Sequence, residues 1–521
     1  LQFILDGKFN FMFKWARHIS RIIKVGYTLS KHDALIDMLE LFGDRPKALS
    51  QLSKFNRKHD VNGKPETRLV IALQDLGPSF IKIGQALATR PDIIGPEVAL
   101  DLLKLQDNVP PFPESQARDI IEDDLGASIE ELFDEFEKTP IAAASIAQVH
   151  MAKTPEGNKV AVKVLRPGIA KAFGRDLEAF RWLAGIFEFF SSEARRLRPT
   201  KVVDTIAEVI ALEMDLRIEA AAAAELKHNT KDNPYYDVPS VDWDRTSRQV
   251  LTTNWVDGIS FKKLDEIKKA GLDPNKLAEN LVQGFLGQAL NDGFFHADLH
   301  QGNLFACKGN KVTAIDFGIM GRIDLKTRKG LADILYGFAH QDYDRIAKAH
   351  FDLGYVPADQ DYTKFKQAIR AIGEPVVGKP LREISAGRLL GQLFETTATF
   401  NMHTQPQLIL LQKTMVTAEG VALNLNPDIN MWEASRPVIE KWVSENLSPI
   451  AILKEGAKTT FETLARLPQI IEDVEQVIHQ MREMQSKSAR RRSSLKLFMY
   501  GIVGGLLGSA IGYSLYMLLI N

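Results

Sequence analysis

The sequence has a single cysteine, no excess of charge of either sign, no internal repeat and, before its last two dozen residues, no long apolar run. Each absence removes a class of protein. One thiol, Cys307, can form neither an intrachain disulfide nor a thiolate zinc site, and it fits a reducing compartment. With 65 Lys and Arg against 66 Asp and Glu, the chain lacks the basic excess of a nucleic-acid binder, so no nucleic-acid partner is expected. Without a period, solenoids and propellers are excluded. What is present is globular: 521 residues, 45% hydrophobic and 25% charged, enough for roughly two to four domains.

The ends differ from the body. Leu497 to Ile520 carries no charged residue, and as a helix these 24 residues would cross a bilayer core of about 30 Å once. Lys487, Arg490, Arg491, Arg492 and Lys496 precede the span, which predicts a single-pass membrane anchor with residues 1–496 on the cytoplasmic side. Gly501 and Gly505, and Gly504, Gly508 and Gly512, are spaced by four. This ridge would suit a homodimer of membrane helices, although glycine is also common in such helices for no pairing reason. The opening segment mixes aromatics with Lys8, Lys14, Arg17, Arg21 and Lys24, which suits a membrane surface or a soluble partner face equally and is not a secretory signal. A first residue of Leu rather than Met leaves open whether residues precede it.

Between the ends the pattern changes twice. Residues 66–106 read as helices, Asn108–Pro113 as a proline-rich break, and 114–137 as an acidic helical pair broken by Gly126. Ser145–Ala152 and Lys159–Leu165 flank Thr-Pro-Glu-Gly-Asn and predict a β-hairpin. A long helix is expected over 201–229 and a strand over Gln249–Val256. A helix follows from Pro274 to Asn291-Asp292-Gly293, then short strands near Leu304 and Val312–Ile315, and helices over 326–482. The expected fold is α+β and two-lobed. Its parts are a helical segment 1–65, a helical extension 66–138, a β-rich lobe 139–256, a helical lobe 257–482, a basic linker 483–496 and a transmembrane helix 497–520.

The chemistry gathers around His296-Ala-Asp298-Leu-His-Gln-Gly-Asn303, with Asp316-Phe317-Gly318 thirteen residues beyond Asn303. Asp298 suits orienting an attacking hydroxyl or water or accepting its proton. Asn303 and Asp316 suit Mg²⁺ bridging the phosphates of ATP. Val160-Ala-Val-Lys163 places a lysine on a strand, where it can pair phosphates and an acidic helix residue. Glu213, Asp215 and Glu219 are the candidates, and the sequence does not choose among them. Where a glycine-rich phosphate loop is expected, the chain has Ile141, Ala142, Ala143, Ala144, Ser145, Ile146, Ala147, Gln148 and Val149. Alanine restricts the backbone approach that glycine permits, so altered nucleotide handling is expected. Gly373–Pro380 nearly matches another phosphate loop, but Pro380 stands where a metal-binding hydroxyl is needed, and it reads as a turn.

Together these segments resemble the UbiB family of atypical kinases, the ADCK group. Phe80-Ile-Lys82-Ile-Gly84-Gln85 is similar to its K-x-G-Q signature, Ala142–Gln148 to its alanine-rich loop and Glu213-Met-Asp215 to its E-x-D signature. The resemblance runs from about Leu76 to Arg322. It implies a kinase-like fold that binds ATP and Mg²⁺, with the K-x-G-Q segment folded over the active site and Lys82 functional. It further implies a role in ubiquinone biosynthesis, with membrane lipids, quinone precursors and other pathway proteins as partners. No A-P-E motif follows Gly318, in keeping with the lack of a peptide-docking segment. ATP hydrolysis, true kinase activity on a pathway component and a non-catalytic nucleotide-gated scaffold all remain compatible with these motifs.

Overall fold

The structure is a computed structural model that describes residues 2–32, 65–88, 110–190, 198–374 and 406–446, with a few single positions between them. Residues Leu1–Ser444 form one compact unit and Glu445–Asn521 a second. The expected transmembrane segment at 497–520, its basic collar, the helix expected around Ile471 and most of the expected turn at 373–380 lie outside the described residues. Among the described residues no helix is long and apolar enough to cross a membrane.

Three helices make the N-terminal extension: α1 (Gln2–Lys31), α2 (Pro65–Leu76) and α3 (Pro78–Ala88). Val25, Leu29, Leu69, Leu73 and Phe80 form their shared core. Gly84 on α3 is there for space, since a Cβ would overlap the side chains of Leu105 and Leu73. Next come α4 (Glu114–Leu125) and the single turn α5 (Ile129–Leu132). Gly126 closes α4 at φ +72°, a conformation only glycine adopts cheaply. The expected helical pair stops at Leu132, because Glu135–Phe136 pairs with the sheet as β1.

The β-rich lobe is a five-stranded antiparallel sheet of β1, β2 (Ala142–Ala143), β3 (Ala147–Lys153), β4 (Lys159–Leu165) and β6 (Val250–Asn254). The predicted hairpin is present as β3 and β4. Alternation along β4 sends Val160, Val162 and Val164 to one face, against Ile121 of α4, Ile129 of α5 and Phe133 just beyond it. Lys163 goes to the other, directly opposite Val149 and Leu251. That face is covered by α6 (Ile169–Phe190), α7 (Pro199–Glu213) and α8 (Leu216–Asn229), through Phe173, Ile210, Met214 and Leu216.

The region expected as one helix over 201–229 is two. α7 ends at Glu213, and Asp215 begins α8 as its N-cap, accepting from Arg217 N at 3.1 Å. Asp215 and Glu219 are therefore not neighbours on one helical face. Helix propensity across the alanine run concealed the break, because one capping aspartate outweighs it locally. Helix α6 had no counterpart in the expectations.

The helical lobe begins after β5 (Tyr236–Asp237), β6 and β7 (Ile259–Ser260), with α9 (Leu264–Lys269) and α10 (Pro274–Gly287). β5 and β7 join β9 (Leu304–Cys307) and β10 (Lys311–Ala314) in a second sheet, while β8 (Phe294–His296) pairs with β11 (Met320–Arg322). α10 continues into a π turn, Gln288–Asp292, and ends at Gly293 with φ +64°, where a Cβ would strike Ile323 O. Then follow α11 (Leu325–His340), α12 (Tyr343–Asp352), α13 (Tyr362–Gly373), α14 (Pro406–Leu425) and α15 (Met431–Asn446). Asp273, Asp324, Asp342 and Asp361 cap α10 to α13. Each such cap contributes about 1 kcal/mol, which places these helix starts firmly.

Candidate active site

Strand β4 presents Lys163 on the helix-covered face of the sheet, and its Nζ lies 2.7 and 2.9 Å from the two carboxylate oxygens of Glu219. Of the three acidic candidates, Glu219 is the partner. The same ammonium stands 3.2 Å from Asp316 Oδ1. Burial opposes a charge on Lys163, but the carboxylates of Asp316 and Glu219 prevail and hold it above the ordinary lysine range. Lys163, in turn, holds the Asp316 carboxyl far below the ordinary aspartate range. Burial pushes the Glu219 carboxyl up, against the pull of Lys163. Glu219 also accepts from Phe317 N at 3.3 Å, so one carboxylate ties the sheet to the loop at 316–318.

Glu213 serves a different lysine. Lys82, on α3, places Nζ 3.1 Å from Glu213 Oε2, and both side chains are largely buried. Lys82 also acts electrostatically on Asp316. Gln85, one turn on, donates to Leu105 O at 3.4 Å. The third candidate, Asp215, faces Arg217, whose guanidinium hydrogen bonds hold its carboxyl below the usual range.

The loop after β8 is organised by His296. Its Nδ1 accepts from Asp298 N at 3.1 Å and its Nε2 donates to Ile315 O at 3.2 Å. Burial pushes His296 below the ordinary histidine range, so it stays neutral and keeps this tautomer. Asn303 Nδ2 donates to Asp298 O at 3.1 Å, leaving its amide oxygen for another task. Ile315 N donates to Asn303 O at 2.9 Å, which fastens the residue before Asp316 to Asn303. Asp316 itself sits at φ +63°, a strained position for a residue with a side chain. Gly318 N lies 3.4 Å from Asp316 Oδ1 and helps orient it.

One carboxylate and one amide oxygen suit Mg²⁺, which takes few protein ligands and fills its shell with phosphate oxygens and water. Among the described residues no group of three or more His, Cys, Asp or Glu forms a metal cage. The donor set therefore fits a metal that arrives with a nucleotide.

The alanine-rich loop divides in two. Ala142 and Ala143 pair with Val149 and Gln148, and Ala144 N donates to Ala147 O at 2.8 Å, closing a tight turn. Ser145 Oγ is fully buried and has no hydrogen-bond partner among the described residues, a hydroxyl suited to a ligand oxygen. Val149 shares the face of Lys163. Gln148 turns the other way: its side chain accepts from Phe112 N at 3.0 Å and bonds His150 Nε2 at 2.8 Å. It braces the loop from behind. Ile141 is exposed, and Ile146 and Ala147 are buried in the sheet's helix-facing core.

Two residues escaped the sequence reading. Arg166 donates to Ala144 O at 3.0 Å and to Pro110 O at 2.7 Å, clamping the loop to the extension. Lys413, on α14, stands 3.7 Å from Asp298 Oδ1. Arg166 follows the hairpin directly and could have been sought there. No local signal marks Lys413.

Residues 104–350 match the ABC1 atypical kinase-like domain, and residues 369–430 match the UbiB helical domain. A Marinobacter nauticus protein named probable protein kinase UbiB is 41% identical over 434 residues, 82% of this chain and 79% of that one. The chain belongs to the UbiB family. A Pseudomonas fluorescens UbiB of the same description is 43% identical over 74% of this chain and 73% of its own. A solved chain, the complex structure of Rv3197-erythromycin from Mycobacterium tuberculosis, aligns with a TM-score of 0.49 at 23% identity, over 75% of this chain and 98% of that one. UbiB membership makes this a kinase-like, phosphoryl-transfer enzyme. Lys82 of the K-x-G-Q segment pairs with Glu213 of the E-x-D segment, and Lys163 pairs with Glu219.

Proposed function

We propose that this UbiB-family enzyme binds ATP with Mg²⁺ and hydrolyses it at the cytoplasmic face of a bacterial inner membrane, in support of ubiquinone biosynthesis. Its clients are isoprenoid quinone precursors or the proteins that process them. Membrane lipids are its second partner, reached through the span at 497–520, whose glycine ridge pairs two copies.

The observation that carries the reading is the seat of Lys82. Its helix, α3, is held to Glu213 at 3.1 Å, and its charge acts on Asp316, the expected metal ligand. In the family that the chain belongs to, the K-x-G-Q segment is expected over the active site where a peptide would otherwise dock, which favours water as the acceptor. Lys163 pairs the phosphates, Asn303 and Asp316 hold the metal, and Asp298 orients the attacking oxygen. Bound Mg²⁺ supplies charge neutralisation on the phosphate oxygens. An apolar isoprenoid client explains a soluble catalytic body joined to a membrane span.

The test is the fate of γ-labelled ATP supplied to the full chain in vesicles with a phenolic quinone precursor. Label recovered as inorganic phosphate, faster with precursor than without, supports the reading. Stoichiometric label in a protein or lipid would replace hydrolysis by true kinase activity.

A further inference from the structure

Asp298 has an unusual set of neighbours. Among the described residues its carboxylate has two ionic partners, His300 Nε2 at 3.8 Å and Lys413 Nζ at 3.7 Å. Both distances are too long for hydrogen bonds. The carboxylate is thus held by charge while its lone pairs stay open to an incoming hydroxyl or water. Of the two, Lys413 is the more enclosed, with 17% of its side chain exposed against 50% for His300.

Lys413 comes from outside the kinase-like segment. It sits on α14, within the part of the chain that matches the UbiB helical domain. The helix is seated firmly at this point. Thr414, fully buried, has its hydroxyl 2.7 Å from Leu410 O and 3.3 Å from Ala297 O, the residue before Asp298. Ala418 and Ala422 on the same helix are fully buried and small, which permits close packing. Met415, Val421 and Leu425 are also buried, whereas Val416 and Leu423 face outward. α14 therefore fixes the loop backbone through Thr414 and presents an ammonium to the carboxylate through Lys413.

We propose that Lys413 is a positioning residue for Asp298, so that the helical domain completes the active site instead of merely supporting it. Lys413 keeps the Asp298 carboxylate in one orientation without occupying it, and counters the negative charge that phosphate oxygens bring beside it. This inference rests on the proposed ATP turnover. It predicts that the kinase-like segment without α14 would retain its nucleotide-facing lysine and lack an ordered Asp298.

The experiment compares steady-state ATP turnover and Mg·ADP affinity in the full chain and four variants: Lys413→Met, Lys413→Arg, Asp298→Asn and the double Lys413→Met/Asp298→Asn. Methionine keeps the apolar stem, so melting temperatures near that of the parent are expected. Lys413→Met should lower kcat about tenfold or more with Mg·ADP affinity within about threefold, and Lys413→Arg should recover most of the loss. The double variant should turn over no more slowly than Asp298→Asn, measured at protein concentrations where the single variant is above background. Independent, multiplicative losses would overturn the proposal, as would an unchanged kcat in Lys413→Met or a loss seen only in ADP affinity. Absence of turnover in the parent would overturn the proposed function along with it, whereas a parent that turns over normally beside an unaffected Lys413→Met would sink this inference alone.

Discussion

Lys163 and Lys82 are both largely buried lysines, each facing a glutamate, yet they have different work. Lys163 stands on a strand whose register with β3 and β6 is pinned along its length, and it bridges two carboxylates, Glu219 and Asp316. Lys82 stands on a helix of the extension and pairs with Glu213. The two glutamates lie six positions apart and would belong to one helix but for the break at Met214-Asp215. The break turns one acidic stretch into two separate sockets. Ion pairs of the same chemistry then tie a strand and a helix to the loop at 316–318 in one place and fasten a helix of the extension in the other.

Breaking the Lys163 socket should have the largest effect. Lys163→Met is expected to lower kcat/KM for ATP by at least about a hundredfold, and it leaves Glu219 buried without its cation, at a cost of about 3–5 kcal/mol. Steady-state kinetics and thermal melting both read this, and near-parental turnover would remove Lys163 from the site. Lys82→Met should do less to folding and more to choice. About a tenfold change in turnover or in ATP-to-ADP preference is expected, and a pure loss of stability with kinetics intact would make the pair merely structural.

Asp215→Ala removes the cap that separates the two sockets, at about 1 kcal/mol. The Arg217 hydrogen bonds hold the Asp215 carboxyl below its unfolded value, so the cap stabilises above about pH 4 and is lost as pH falls further. The stability gap between parent and variant should accordingly close toward pH 3. A gap constant with pH would assign the loss to packing. The smallest expected change is in the loop: Ala144→Gly should shift ATP or ADP affinity severalfold while stability moves by less than about 1 kcal/mol. Unchanged binding with a lowered melting temperature would count against a nucleotide role for this turn.

Much of this site was legible because its signals are local. The hairpin declared itself through its turn and period-2 pattern, and Lys163 followed from it. Asp298, Asn303 and Asp316 were marked by spacing, and the structure brings Asn303 next to the residue before Asp316 through one backbone bond. The K-x-G-Q and E-x-D segments were recognised by resemblance and meet as Lys82 and Glu213. The misses are of another kind. Helix α6 and the end of the acidic pair at Leu132 were decided by packing against the sheet, not by propensity. Gln148 belonged to the loop by sequence, but strand alternation sends it to the opposite face from Val149, to hold Phe112 and His150.

By itself, the sequence determined which groups are available: one strand lysine, one loop aspartate, two oxygen donors for a metal, an alanine-rich turn and an uncharged terminal span. Spacing sufficed for these because a strand, a turn or a short loop places its own residues within reach of one another. Which glutamate meets which lysine was decided only by the tertiary structure, since a single capped break redirects an entire helix. The same holds for Lys413. Its ammonium reaches Asp298 because α14 packs against the loop after β8, far apart from it in the chain, with Thr414 bonded to Ala297 O, and no local pattern encodes a contact of that kind.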